Sequence, residues 1–260
     1  MGKIITLLTD FGDSDHYTGA LKGAILSVEP DAVIIDITNN AGKYAVASAS
    51  YMLEASSGYF PAGTVHAAVV DPGVGSKREI IIFKNEKYLY VMPDNGLITC
   101  TYLKSKIREI VRVEKEEYFL HPVSSTFHGR DIIAPIAARL AGGADPSLFG
   151  RKTSKVILLK GIKAQKRGSF ITGRVLHIDR FGNIITGIPD SFRKDFGSKT
   201  AVEIGGRLIR RTYENYASAP QGEPFYLWGS SGYLEISLKE ASAAAGLSAE
   251  IFNAVKVVLR

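Results

Sequence analysis

Apolar positions come in short bursts separated by polar breaks, and the period within each burst decides its reading. Lys3 to Thr9 and Ala32 to Ile37 are apolar runs of strand length. The first ends in Thr9-Asp10-Phe11-Gly12-Asp13 and the second in Asp36-Ile37-Thr38-Asn39-Asn40. Between them Tyr17, Leu21, Ala24, Ile25 and Val28 fall on one helical face, with Asp13 or Ser14 placed to cap the helix and Glu29-Pro30 to stop it. Tyr44 to Ala55 is rich in Ala and Ser and reads as a closely packed helix. Phe60-Pro61-Ala62-Gly63 then turns into a third strand, Thr64 to Val70, almost wholly apolar and β-branched, as a strand covered on both faces requires. The β-α-β-α-β order predicts a mostly parallel sheet with flanking helices.

Beyond it, Glu79 to Phe83 and Tyr88 to Val91 read as a hairpin, Pro93-Asp94-Asn95-Gly96 as a turn, and Ile107 to Val113 as another strand. A polar loop from Glu114 to Thr126 leads to Phe127-His128-Gly129-Arg130-Asp131. Ile132, Ile133, Ile136, Ala137 and Leu140 then keep helical spacing, with Pro135 admissible in the first turn and Gly142-Gly143 at the end. The character changes near residue 160. Residues 161–168 are basic and linker-like, and from Phe170 on short strands alternate with Gly, Asn and Pro turns, predicting a small β-barrel or sandwich. The expected organisation is an α/β domain over 1–160, a linker over 161–168 and an all-β domain over 169–260.

Composition narrows this little. The 260 residues are 45% hydrophobic with a net charge of +6, and the charges are scattered, without a Lys/Arg block or a zinc-finger or RNA-binding signature. Nucleic acid is not an expected partner. The single cysteine, Cys100, has no partner for a disulfide or a thiolate metal site and reads as a buried structural thiol. The N-terminal apolar run is too short for a membrane span and lacks a signal-peptide cleavage region, so a cytoplasmic protein is expected.

Candidate chemistry concentrates at strand ends. Val69-Val70-Asp71-Pro72-Gly73-Val74-Gly75-Ser76-Lys77-Arg78 places a carboxylate where ligands of open α/β sheets bind, and its two glycines let the chain turn Arg78 back towards it. The same stretch also fits an ordinary strand-to-strand turn. His128 sits just before a helix start, which favours anions and lowers imidazole basicity, although a packed, hydrogen-bonded His fits equally well. Asp10, Asp36, Asp71 and Asp94 offer enough carboxylates for Mg²⁺, but Arg78 and Arg130 would compete with a cation. Walker and dinucleotide glycine patterns are absent, and Asp10-Phe11-Gly12 matches the kinase trio without any other kinase element. In the all-β part, Asp179-Arg180-Phe181-Gly182-Asn183 and Trp228-Gly229-Ser230-Ser231-Gly232-Tyr233 combine Asp, Asn or Ser with Gly and an aromatic, suiting a nucleoside with an amino-acid group or simply two hairpin turns.

Taken together and in order, these segments carry a resemblance. Leu8-Thr9-Asp10-Phe11-Gly12, Asp36-Ile37-Thr38, Phe60-Pro61-Ala62-Gly63-Thr64-Val65-His66, Val70-Asp71-Pro72-Gly73-Val74-Gly75, Pro93-Asp94-Asn95-Gly96-Leu97, Phe127-His128-Gly129-Arg130-Asp131, Asp179-Arg180-Phe181-Gly182-Asn183 and Ser230-Ser231-Gly232-Tyr233-Leu234-Glu235 span nearly the whole chain. The chain resembles the S-adenosyl-L-methionine (SAM) hydroxide adenosyltransferase family, the adenosine-forming SAM hydrolases related to fluorinase and chlorinase. The resemblance implies an N-terminal α/β domain and a C-terminal β-barrel in a homotrimer, with sites between one subunit's N-terminal domain and a neighbour's C-terminal domain. It implies Asp71, Arg78 and His128 as the catalytic set and Asp10 on the ribose hydroxyls. It further implies Asp179 and Ser230 on the methionine ammonium and carboxylate, Phe181 and Asn183 near the adenosine, and Tyr44 against the substrate. SAM is then a substrate, with no cofactor and no metal. The family often has His where Asn39 stands, so Asn39 receives no role. The halide enzymes resemble this chain with Tyr in place of Asp71 and Ser in place of Gly129. A SAM-dependent halogenase, a SAM- or adenosine-binding protein without turnover and a metal-dependent hydrolase are the alternatives.

Overall fold

A seven-stranded sheet runs through the first of the chain's two units, Met1–Leu159; the second is Lys160–Arg260. The computed structural model describes residues 2–259. The strands of the first unit are β1 (Ile4–Thr9), β2 (Val33–Thr38), β3 (Val65–Val69), β4 (Ile80–Lys84), β5 (Leu89–Pro93), β6 (Glu109–Val113) and β7 (Gly150–Lys152). Their order is β2-β1-β3-β5-β4-β6-β7. The first four lie parallel; β4, β6 and β7 add antiparallel pairs at one side. The helices are α1 (Tyr17–Val28), α2 (Val46–Ser57), α3 (Thr99–Lys104) and α4 (Ala134–Ala141).

The apolar run of β3 resolves into two faces, as alternation along a strand demands. Val65, Ala67 and Val69 join the core made with α1 and α4, including Leu21, Ile25, Ile133 and Ile136. Ala68 and Val70 join the opposite core with Ala49, Leu53, Leu97 and Ile98 on the side of α2 and α3. Every residue of β3 is therefore buried. Val69 pairs with Thr9 in register, so β1 and β3 end side by side, with Asp10 and Asp71 just beyond.

Two local expectations change, and one helix has no counterpart among them. Asp13 and Ser14 do not cap α1; His16 precedes it without a side-chain cap, and Asp13 instead accepts a hydrogen bond from Asn40 Nδ2 at 2.8 Å, tying two strand-end loops together. Tyr17, expected on the buried face, is 41% exposed. Residues Thr99–Lys104 form a helix although their β-branched threonines give little helical signal. Its first turn is held by Thr99, whose N–H and Oγ1–H both donate to the Gly96 carbonyl. Cys100 within it is 2% exposed, and burial pushes its thiol up to about 11, making it an unreactive core thiol.

The second unit contains β8 (Gln165–Arg167), β9 (Phe170–Ile178), β10 (Ile184–Pro189), β11 (Ala201–Ile204), β12 (Arg207–Ile209), β13 (Phe225–Trp228), β14 (Tyr233–Ser237), β15 (Ala254–Val258) and a short helix, α5 (Ala243–Leu247). The antiparallel order is β12-β11-β15-β9-β10-β14-β13, with β8 against β9. Thr212, just past β12, bridges to Tyr226 on β13, so the two ends of the sheet meet and the barrel nearly closes. Strand β8 lies inside 161–168, the stretch expected as linker. A turn at Gly168 (φ 56°) folds it back onto β9, and Ile162 is buried, so this segment is part of the barrel's wall. Among the described residues no helix is long and apolar enough to cross a membrane.

Candidate active site

Asp71 has the same parity as Val69, which turns its carboxylate to the α1–α4 side of the sheet. Two tight turns follow: Val74 N–H reaches the Asp71 carbonyl and Ser76 N–H the Gly73 carbonyl. They return the chain so that Arg78 donates from Nε to Asp71 Oδ2 at 2.6 Å, with Nη2 at 2.5 Å from the same oxygen. The two side chains are only 9% and 6% exposed. Gly75 has φ 80°, and a Cβ there would stand 2.5 Å from the Ser125 carbonyl oxygen, so only glycine lets this loop pack beneath the 120–128 loop.

From the other side, His128 precedes a π-helical turn, Gly129–Ile133, that leads into α4. Its Nδ1 lies 2.9 Å from Arg78 Nη2. Arginine only donates, so Nδ1 is the acceptor and a neutral ring carries its proton on Nε2. His128 is held below its ordinary value, first by burial and then by Arg78, with Asp71 and Asp131 pulling the other way. The direction agrees with the expected helix-start effect; the causes are burial and the guanidinium. With Nδ1 committed to Arg78, His128 offers the cavity a donor and not a base. Among the described residues Asp71 Oδ1 accepts only the Gly73 N–H, at 3.2 Å, and keeps acceptor capacity.

Asp10, Tyr44, Asp71 and His128 line one cavity of about 340 Å³, together with Phe11, Tyr17, Lys43 and Phe127. Asp10 Oδ2 accepts the Tyr44 N–H at 2.9 Å, which helps hold Tyr44 at φ 59°, an unfavourable conformation for a bulky residue. Phe11 and Tyr17 meet Phe127 edge-on at 5.6 and 5.3 Å between ring centres. No local signal marks Tyr17 or Lys43 as cavity residues: one fits a helical core stripe and the other has no motif around it.

The remaining strand-end carboxylates do not converge. Asp36 pairs with Lys22. Asp94 is buried, titrates above its ordinary range because of that burial, and accepts the Ile157 N–H. Its neighbour Asn95 donates to the Val70 carbonyl at 2.9 Å and so braces the strand end that carries Asp71. Buried Asn39 accepts from Thr9 Oγ1, a structural bond. Among the described residues no three His, Cys, Asp or Glu side chains gather as a metal-binding set.

In the barrel unit, Asp179, Phe181 and Asn183 line a second cavity of about 600 Å³ with Tyr216, Leu238 and Ala241. Asp179 closes its own turn: Oδ1 accepts the N–H groups of Phe181 and Asn183, and Oδ2 accepts from Asn183 Nδ2 at 2.9 Å. Tyr216 donates to buried Glu235, which also accepts from Ser237. These partners lie 19 residues apart and had no local signal. Ser230 is exposed at the tip of the β13–β14 hairpin and lines neither cavity.

Comparison with known proteins agrees with the motif order. Residues 5–150 match the model for the SAM hydroxide adenosyltransferase N-terminal domain, and residues 173–256 that for the C-terminal domain. A Methanocaldococcus jannaschii protein named (R)-S-adenosyl-L-methionine hydrolase is 33% identical over 98% of this chain and 95% of its own, and a Thermus thermophilus protein of the same name is 34% identical over 94% of each. A Nocardia brasiliensis fluorinase is more distant, at 25% over 95% of this chain and 96% of its own. The crystal structure of an uncharacterized conserved protein from Thermotoga maritima superposes with a TM-score of 0.89 at 32% identity, covering 98% of this chain and 99% of that one. Both units match along their length and in the expected order, so the chain belongs to the SAM hydroxide adenosyltransferase family.

Proposed function

We propose that this protein hydrolyses SAM to adenosine and L-methionine, with water attacking C5′ of the ribose. The observation that carries the mechanism is the buried Asp71–Arg78–His128 chain at the end of β3. The sulfonium is an excellent leaving group: the C5′–S bond breaks with its electron pair going to sulfur, and the C5′–O bond forms from water. No acid is required for departure, and water and SAM alone balance the reaction, so SAM enters as substrate with no cofactor. What remains is to hold the water in line and remove its proton. Asp71 Oδ1 is the acceptor, Arg78 stabilises developing hydroxide, and His128 Nε2–H orients the oxygen.

Asp10 takes the ribose hydroxyls and Tyr44 lies against the substrate. In the barrel unit Phe181 and Asn183 receive the adenosine, and Asp179 with Ser230 the methionine ammonium and carboxylate. The protein acts in the cytoplasm as a homotrimer, one subunit's first-unit cavity being completed by a neighbour's barrel. Mixing Asp71→Ala with Asp179→Ala subunits then restores part of the activity, and a fully active monomer rejects the assembly.

The halogenase reading is weaker at Gly129, where a Cβ would stand 3.1 Å from Val69 Cγ1, so a serine fits only if Val69 shifts by tenths of an ångström. Incubation with SAM in H₂¹⁸O, with and without halide, tests the reading directly. Adenosine labelled at the 5′ oxygen is expected; a 5′-halogenated nucleoside, or no product despite SAM binding, overturns it.

A further inference from the structure

Behind His128 lies a carboxylate that the cavity does not touch. Asp131 is 2% exposed and uses both oxygens. Oδ1 accepts from Arg130 Nε at 2.6 Å, and Oδ2 accepts from Arg130 Nη2 at 3.0 Å and from the Ser124 N–H at 2.8 Å. Its main-chain carbonyl accepts the Leu120 N–H at 2.8 Å. One residue therefore pins both ends of the irregular 120–124 segment. That segment continues to Ser125, whose carbonyl abuts Gly75 in the loop returning Arg78. Arg130, held by Asp131, lies over the Phe127 ring at 5.0 Å, and Phe127 lines the cavity. The Asp131 N–H bonds back to the Phe127 carbonyl, closing the turn that carries His128.

We propose that Asp131 is a positioning residue for the reaction: it locks the 120–128 segment and the turn at His128, so that Nδ1 stays in place as the acceptor of Arg78. This rests on the SAM hydrolase reading for its kinetic consequence, but the geometric consequence holds in the free protein. The charged groups around His128 are Arg78 and Asp71 from the β3 loop, the paired Arg130 and Asp131 from its own turn, and Asp10 and Lys43 on the same cavity wall. Of these, Asp131 is the anion that contacts neither Arg78 nor the cavity. Removing its charge moves the His128 titration further down.

The test compares Asp131→Ala and Asp131→Asn with the wild type by kinetics on SAM and by nitrogen-resolved NMR of ¹⁵N-labelled histidine. For Asp131→Ala, kcat is expected to fall about 100-fold, the scale of a small misplacement of reacting groups, with KM little changed. Its His128 Nδ1 should lose the signature of a single Nε2–H tautomer. Asp131→Asn keeps an acceptor for Ser124 N–H, so about tenfold of kcat is lost and His128 titrates at lower pH than in the wild type. Unchanged kcat in a folded Asp131→Ala protein overturns the proposal. So does a loss of kcat with the His128 tautomer and titration unmoved, since that is a general structural effect. Should Asp131→Ala not fold, Asp131→Asn decides by the same two readouts. Wild-type protein that leaves SAM intact rejects the hydrolase reading, while the NMR arm still judges the positioning role.

Discussion

The two cavities are built on opposite principles. In the α/β unit the polar groups come from distant parts of the chain and satisfy one another: Asp71, Arg78 and His128 span 57 positions yet form one bonded chain, with the ion pair almost wholly buried. In the barrel unit Asp179, Phe181 and Asn183 come from five consecutive residues, and the aspartate's hydrogen bonds go to its own turn. Phe181 is 78% exposed, whereas the Asp71 and Arg78 side chains are 6% and 9% exposed. A group that must act on a developing charge benefits from being preorganised in a low-dielectric setting. An open aromatic face such as that of Phe181 suits a planar ligand that covers it. The difference separates expected defects in turnover from expected defects in affinity.

The largest effect is expected at Arg78. Replacing it by Ala should lower kcat at least ~100-fold, the scale for losing one preorganised donor, while calorimetric affinity for SAM stays near normal. It also leaves Asp71 buried without its partner, at a stability cost on the order of 3–5 kcal/mol. Arg78→Lys is therefore the companion variant: it keeps the charge but cannot fork between Asp71 and His128, and should show the same kinetic defect in a more stable protein. Full activity in either folded variant would remove the distinction between the cavities.

Next comes Asp179→Asn, which keeps an oxygen for the two turn N–H groups and removes the charge. SAM affinity should weaken by about tenfold, the lower end for losing a charge-assisted contact, with turnover of bound substrate unchanged. A fall in kcat at saturating SAM would place Asp179 with the reacting groups instead. Gly129→Ser should cost less still, a few-fold in kcat, because Val69 has to give way by tenths of an ångström. Product analysis with chloride or fluoride present should still show only adenosine; appearance of a halogenated nucleoside would show that one hydroxyl suffices to recruit halide.

The smallest effect on catalysis, and the clearest on stability, concerns His66. It is fully buried among Phe60, Tyr88 and Tyr90, bonded through Nδ1 to Thr6, and its Nε2 has no hydrogen-bond partner among the described residues. Burial pushes it down to about 3 from an ordinary 6.5. The unfolded chain thus takes up a proton below about pH 6.5 that the folded chain refuses until about pH 3. The contribution is full above that window and is lost as pH falls through it, at up to ~1.4 kcal/mol per unit from this one residue. Urea titrations between pH 7 and 4 should show that slope, and His66→Gln should flatten it without changing kcat at neutral pH.

Strands β1 to β6 and helices α1, α2 and α4 are legible in the sequence because their apolar runs have the right lengths and breaks, and the loop after β3 because glycine and proline mark turns by local sterics. Cys100 is buried as its flanks predict, yet the helix around it leaves no trace in the sequence, since threonine spacing carries no helical signal and the Gly96–Thr99 bonds depend on the fold. Strand β8 reads as linker from sequence because three polar residues show no period until β9 lies beside them.

The sequence alone was enough for the order of elements, the identity of the candidate groups and, through eight ordered motifs, the family, because these depend on local spacing and on residue type. Tertiary structure decided which groups share a site. It selected Asp10 and Asp71 from four strand-end aspartates, put Lys43 and Tyr17 on the cavity wall, and left Ser230 on an exposed hairpin tip. It also decided the proton inventory: His128 became a donor once Arg78 claimed Nδ1. Protonation and hydrogen-bond roles depend on burial and on partners fifty residues away, and no local pattern in a chain encodes those distances.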